Sequence, residues 1–161
     1  LKKIFVLLIL SIIFISCKSG SSAVSKSESK RENKYVVKNL IETATDKIGV
    51  RYKAGGTNKS GYDCSGLVFS SFQSENITLP RSSFEQSKVG KIIKFNDAQK
   101  GDLIFFKTNK SKQINHVGLI TEANSAEIKF VHSSTAKGVI ISSTKEPYYQ
   151  NSFVQINRVI E

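Results

Sequence analysis

The chain has 161 residues, in which 24 Lys and Arg stand against 13 acidic residues for a formal charge of +11, and 39% of the residues are hydrophobic. With an N-terminal leader and a polar spacer set aside, what remains has the size of one ordinary globular domain, which excludes a two-core architecture. The charge suits anionic surfaces or polymers, but the sequence has no compact basic run interleaved with aromatics, so nucleic acid is not expected as a partner.

Lys2 and Lys3 precede an apolar run over residues 4–15, broken only by Ser11, and the run ends in Phe14-Ile15-Ser16-Cys17. This is the pattern of an export leader, and it is too short to span a bilayer as a mature helix, which takes about 20 apolar residues. Its end resembles a bacterial lipoprotein leader over residues 1–16, in which a small residue precedes a cysteine that is acylated and becomes the first of the mature chain. Ser16 and Cys17 fit that pattern, with Phe14 where Leu is commoner. The resemblance implies an envelope protein held to a membrane by a lipid anchor. Lys18 and Ser19, with no Asp, favour the outer membrane where a cell has two. Acylation of Cys17 would leave Cys64 as a solitary thiol, either buried and inert or kept because it reacts.

Residues 17–33 read as a flexible tether, since after the cysteine the only aliphatic side chains are Ala23 and Val24, too few to bury a core. The domain is expected over residues 34–161. Tyr35, Val36, Val37, Leu40, Ile41, Ala44 and Ile48 follow helical spacing, and Gly49 stops the helix. A glycine-rich loop over residues 52–62 leads to Asp63, a good N-cap, with Cys64 in the first turn of the next helix. A short helix is predicted over residues 82–89. Strands are then expected at 103–107, 116–122, 128–133, 139–142 and 153–160, separated by Asn, Ser and Gly clusters. Helices followed by a meandering antiparallel sheet make an α+β domain, expected to act as a monomer.

A thiol in the first turn of a helix meets unpaired N–H groups and the positive end of the dipole, which predicts a lowered thiol pKa and a place for an oxyanion. A base must then come from His116 or His132, the two histidines of the chain. A hairpin pivoting on Asn124 sets His116 directly opposite His132, Gly118 opposite Phe130 and Ile120 opposite Ile128, so one imidazole can orient the other. Register alone leaves open which is base and which is orienter, and either histidine taken singly could be an ordinary strand residue. A zinc site on Cys64, His116, His132 and Asp63 is a further alternative. No close-spaced ligand pair supports it, so neither metal nor cofactor is expected.

At these residues the chain resembles the NlpC/P60 family of cell-wall peptidases, which share a papain-like core. The resemblance runs over residues 34–160 and rests on several ordered blocks. They are Tyr52-Lys53-Ala54-Gly55-Gly56, Gly61-Tyr62-Asp63-Cys64-Ser65-Gly66-Leu67-Val68, Leu79-Pro80-Arg81-Ser82-Ser83, Gly101-Asp102-Leu103-Ile104-Phe105-Phe106, His116-Val117-Gly118-Leu119 and Phe130-Val131-His132. It implies that Cys64 attacks an amide carbonyl, that His116 accepts the thiol proton and later protonates the leaving amine, and that His132 orients His116. Tyr52, Asp63 and Ser65 match family positions that line the cleft and help hold the substrate's amine end. Each also has a plain structural reading: Asp63 as a cap, Ser65 on backbone, Tyr52 against the loop. Arg81 is equally explained by a surface ion pair.

The resemblance further implies a substrate among peptidoglycan stem peptides, commonly cut between D-glutamate and a diamino acid, and such anionic peptides suit a basic protein. Two other readings stay open. One is an amidase or acyltransferase on the same core. The other is a catalytically silent envelope protein that binds wall peptides.

Overall fold

The computed structural model describes residues 26–161. The expected leader, Cys17 and residues 17–25 of the expected tether lie outside the described residues. The first helix, α1 (Lys26–Thr45), begins upstream of residue 34, so residues 26–33 are helical where a flexible tether is expected. Lys, Glu and Arg are good helix formers, and Glu28, Lys30, Arg31 and Glu32 are exposed, with Glu28 in the first turn, favourable to the dipole. Low apolar content correctly forecasts exposure here, but exposure alone does not unfold a helix that continues into a packed one. Asn33 also donates its side-chain amide to the Glu161 backbone carbonyl. Further along, Leu40 and Ala44 are buried, and they dock α1 on the core.

A two-residue ribbon, β1 (Thr57–Asn58) with β2 (Gly61–Tyr62), folds the glycine-rich loop back before α2 (Cys64–Gln73) and the short α3 (Ser83–Gln86). The main sheet consists of β3 (Lys91–Ile93), β4 (Leu103–Phe106), β5 (His116–Ala123), β6 (Ile128–Ser134), β7 (Gly138–Ser143) and β8 (Phe153–Arg158). Its order is β3-β8-β4-β5-β6-β7, with every pairing antiparallel. Strand β3, the β1–β2 ribbon and helix α4 (Pro147–Ser152) are not anticipated from the sequence. They are short, and their patterns are too brief to show a period.

Both sheet faces are covered, as the all-apolar Leu103-Ile104-Phe105-Phe106 of β4 requires of a central strand. Leu103, Phe105, Val117, Leu119, Val131 and Val139 pack toward α1 and α2 with Leu40, Leu67, Val68 and Phe72. Ile104, Phe106, Ile120, Ile128, Phe130 and Ile156 form the other face, with Tyr149 of α4 laid on it.

The β5–β6 hairpin corrects the expected register. The turn spans Asn124 to Glu127, where Asn124 N–H donates to the Glu127 carbonyl at 3.0 Å and Asn124 Oδ1 accepts from the N–H groups of Ala126 and Glu127, each at 2.9 Å. Ala123 pairs with Ile128 and Glu122 with Lys129, but beyond a bulge Ile120 pairs with Phe130 and Leu119 with Val131. His132 therefore falls opposite Gly118, and His116 is its diagonal neighbour. Thr121 is the extra residue. Had the turn's register run on unbroken, His132 would face Leu119 and stand on the opposite side of the sheet from His116. The bulge restores the phase that puts both imidazoles on one face.

Gly118 is the other condition for this arrangement. A Cβ there would stand 2.5 Å from Phe130 Cδ2 and 3.2 Å from the Val131 carbonyl. Gly118→Ala should therefore overpack the face that carries the histidines and cost about 1–3 kcal/mol, read as a lower urea midpoint at unchanged slope. An unchanged midpoint would show that Phe130 moves aside freely.

Candidate active site

Asp63 starts α2. Its backbone is extended (φ −89°, ψ 175°) and its Oδ1 accepts from Gly66 N–H at 2.6 Å, so Cys64 is the first helical residue, as the sequence predicts. The same carboxylate is the centre of a polar network. Oδ2 accepts from Gly55 N–H at 2.8 Å, Arg81 grips both oxygens at 2.9 and 2.7 Å, and Ser65 Oγ donates to Oδ1 at 3.2 Å. Arg81 also donates to Ser65 Oγ at 3.0 Å. Burial opposes ionisation of Asp63, but the Arg81 hydrogen bond and charge and the N–H groups of Gly66 and Gly55 overcome it and hold the carboxyl below its ordinary value. Arg81 is thus an integral partner of Asp63, half-exposed rather than a loose surface cation. Gly66 is required where the Gly56 carbonyl passes over the first turn, because a Cβ would collide with it.

Tyr52 joins this cluster through a backbone bridge to Tyr62. Its phenol is pushed above the ordinary value by burial first, with Cys64 and Asp63 acting in the same direction and Arg81 against them. Of the three residues expected at the substrate's amine end, Asp63 and Ser65 are joined by a hydrogen bond, and Tyr52 is bridged through its backbone to Tyr62, next to Asp63 in the chain.

The thiol rests against the start of β5. Cys64 Sγ lies 3.8 Å from the Asn115 carbonyl oxygen, and the N–H groups of Val117, Ser65 and Cys64 itself act on the sulfur. It is thus bracketed by the backbone on both sides of His116. Asn115 is fixed in turn: its Oδ1 accepts from Thr108 N–H at 2.8 Å and its Nδ2 donates to the Thr108 carbonyl at 3.2 Å. The expected lowering of the thiol pKa is overturned. Burial raises it above the ordinary value, the Asp63 charge adds to this, and the N–H groups compensate only in part.

His116 Nε2 and His132 Nδ1 are 3.0 Å apart, and His132 is wholly buried. Burial lowers His116 to about 4, and burial together with the neighbouring His116 lowers His132 to about 3. Both imidazoles are accordingly neutral near pH 7, and the thiol keeps its proton until a base removes it. With Nε2 of His116 turned to His132, Nδ1 is its remaining ring nitrogen. Tyr149, Asn115 and Thr108 are the members of this region that sequence reasoning misses. Pro147 marks the start of α4, but no pattern in so short a helix says which side chain it turns to the sheet. Among the described residues, no three His, Cys, Asp or Glu side chains converge on a metal position.

The depressed imidazoles carry a stability consequence with a definite sign. Below the ordinary value of 6.5 the unfolded chain takes up protons on His116 and His132 that the folded chain refuses until about 4 and about 3. Folding stability should therefore fall as pH drops from about 6.5 toward 4. Urea midpoints at pH 7 and pH 5 measure this; replacing His132 by Asn should flatten the difference, and an equal drop in that variant would assign the effect elsewhere.

The model of the NlpC/P60 family matches residues 49–158. Over 148 residues the chain is 36% identical to the murein DD-endopeptidase MepS/murein LD-carboxypeptidase of Escherichia coli (strain K12), covering 88% of this chain and 76% of that one. It is 32% identical over 129 residues to the gamma-D-glutamyl-L-lysine dipeptidyl-peptidase of Bacillus subtilis (strain 168), covering 79% of this chain and 42% of that one. The crystal structure of an NlpC/P60 family protein from Bacillus cereus ATCC 10987 superposes with a TM-score of 0.69 at 31% identity, over 78% of this chain and only 40% of that chain. Fold and sequence agree, and the fold is the α+β, papain-like core expected. The chain belongs to the NlpC/P60 family and is a peptidase.

Proposed function

We propose that the protein is a monomeric cysteine endopeptidase acting on peptidoglycan stem peptides through Cys64, His116 and His132. The observation that carries this reading is the bracketing of Cys64 Sγ by the backbone flanking His116, together with the 3.0 Å approach of the two imidazoles. The thiol and the base are both neutral at rest, so His116 takes the proton as sulfur attacks the carbonyl, rather than meeting a preformed thiolate. The N–H groups at the start of α2 receive the oxyanion. Collapse expels the amine, which takes the proton back from His116, and leaves a thioester on Cys64. Water then attacks the thioester, His116 accepting its proton, and the acid and free thiol are released.

Tyr52, Asp63 and Ser65 form the wall of the cleft nearest the thiol. Asp63 already accepts from Arg81 at both oxygens and from two backbone N–H groups, so its charge is balanced without a substrate amine. That favours an internal bond over removal of dipeptides from a free N-terminus. The bond between D-glutamate and the diamino acid is the first assignment. A D,D bond between stems is the second, favoured by the name of the Escherichia coli relative, to which the chain is similar over 88% of its length.

Incubating the protein and Cys64→Ala with purified peptidoglycan, then weighing the released fragments by mass spectrometry, tests both. Stem fragments ending at D-glutamate, or loss of cross-linked dimers, should appear only with the intact thiol; equal release by both proteins, or none by either, contradicts the proposal. We also propose that Cys17 is the lipid acceptor that keeps the enzyme at the envelope, supported by the Lys2-Lys3, apolar run and Ser16-Cys17 sequence. Cys17→Ala should release the protein from membranes in cell fractionation. Unchanged retention would contradict the anchor.

A further inference from the structure

Tyr149 stands at Nε2 of His132, the ring nitrogen not turned to His116. Its hydroxyl oxygen is 3.2 Å from His132 Nε2, and its side chain is 7% exposed. The ring packs among Phe106, Phe130, His116 and His132 with centroid separations of 5.2, 5.1, 6.3 and 5.2 Å. Buried Ser142 also acts on the phenol. Burial pushes the phenol up to about 12, so it keeps its hydrogen at every working pH. Nothing in the proposed chemistry uses this residue, yet it closes a continuous line of hydrogen-bonding groups that begins at His116.

The proton count along that line is constrained. His116 and His132 share one hydrogen between Nε2 and Nδ1. If it sits on His116 Nε2, Nδ1 of His116 is bare and can accept the thiol proton. If it sits on His132 Nδ1, neutral His116 must carry its hydrogen on Nδ1 and cannot act as base. The productive arrangement therefore requires His132 to be the Nε2–H tautomer, and a buried N–H needs an acceptor. We propose that Tyr149 is a positioning residue: its oxygen accepts from His132 Nε2–H, and this fixes the tautomers of both histidines so that His116 Nδ1 is free for Cys64. The inference rests on the Cys-His-His reading, which selects the productive tautomer, while the tautomers themselves can be read without substrate.

Phenylalanine at 149 keeps the ring packing and removes only the acceptor. A buried N–H without a partner is more costly than a bare ring nitrogen, so Tyr149→Phe should drive the shared hydrogen onto His132 Nδ1, the tautomer error known from triads whose orienting acceptor is lost. Imidazole ¹⁵N NMR on the unreacted protein reads this without any substrate. The wild type should show Nε2–H on both histidines, and Tyr149→Phe should convert His116 to Nδ1–H. With peptidoglycan as substrate, kcat should fall about tenfold or more at unchanged KM.

The same change made in a His132→Asn background should have no effect, because an amide oxygen accepts from His116 in one sense only. His132 as Nδ1–H in the wild type, tautomers unmoved by Tyr149→Phe, or an equal kinetic loss in both backgrounds would overturn the proposal. A wild type without activity on peptidoglycan, but with the predicted tautomers, would instead count against the substrate alone.

Discussion

One surplus residue in β5 decides whether the two histidines of this domain share a face. The turn of the β5–β6 hairpin sets one register, and the bulge at Thr121 changes it before the strand reaches His116. Side-chain direction in a strand has period two, so a one-residue change of phase inverts everything beyond it. With the bulge, His116 and His132 share the face occupied by Phe106, Phe130 and Tyr149, and their ring nitrogens meet at 3.0 Å. Without it they would be separated by the sheet. Thr121 Oγ1 donates to the Lys129 carbonyl at 3.2 Å, so the extra residue is itself tied across the hairpin.

The second constraint is satisfaction of polar groups around the start of α2. Asp63 caps the helix, receives the glycine-rich loop through Gly55 N–H, and is neutralised by Arg81 from the segment before α3. One carboxylate thus joins three stretches of chain and leaves Cys64 at the helix terminus against β5. Burial dominates the sulfur over the neighbouring N–H groups, and the thiol is raised rather than lowered. The neutral imidazoles follow from the same scarcity of water. The thiol and both imidazoles are therefore neutral at rest.

Much of this was legible in the sequence where local chemistry is strong. Asp63 before an apolar helical period marks the cap and the position of Cys64, and the Asn, Ser and Gly clusters around residues 116–122 and 128–133 set off two strands with a histidine on each. The antiparallel sheet followed from the turn residues between them. The exact pairing was not legible, because a bulge leaves no mark in the pattern of a strand buried on both faces: Leu119, Ile120 and Thr121 are all buried. Helix α1 was under-read because exposed Lys and Glu look the same in a tether as in a solvated helix. Tyr149 and Arg81 reach the site from far along the chain, and only tertiary structure brings them there.

The account's central claim is covalent: an amide carbonyl of the stem peptide becomes bonded to Cys64 Sγ. Rapid acid quench of the protein during turnover of peptidoglycan stem peptides, followed by mass spectrometry of the fragment that contains Cys64, measures this directly. The account predicts a thioester at Cys64 with the mass of the acyl half of the cleaved peptide, accumulating before the acid product and absent in Cys64→Ala. Peptide cleavage that proceeds with no adduct on that fragment, or equally well without the thiol, would contradict it.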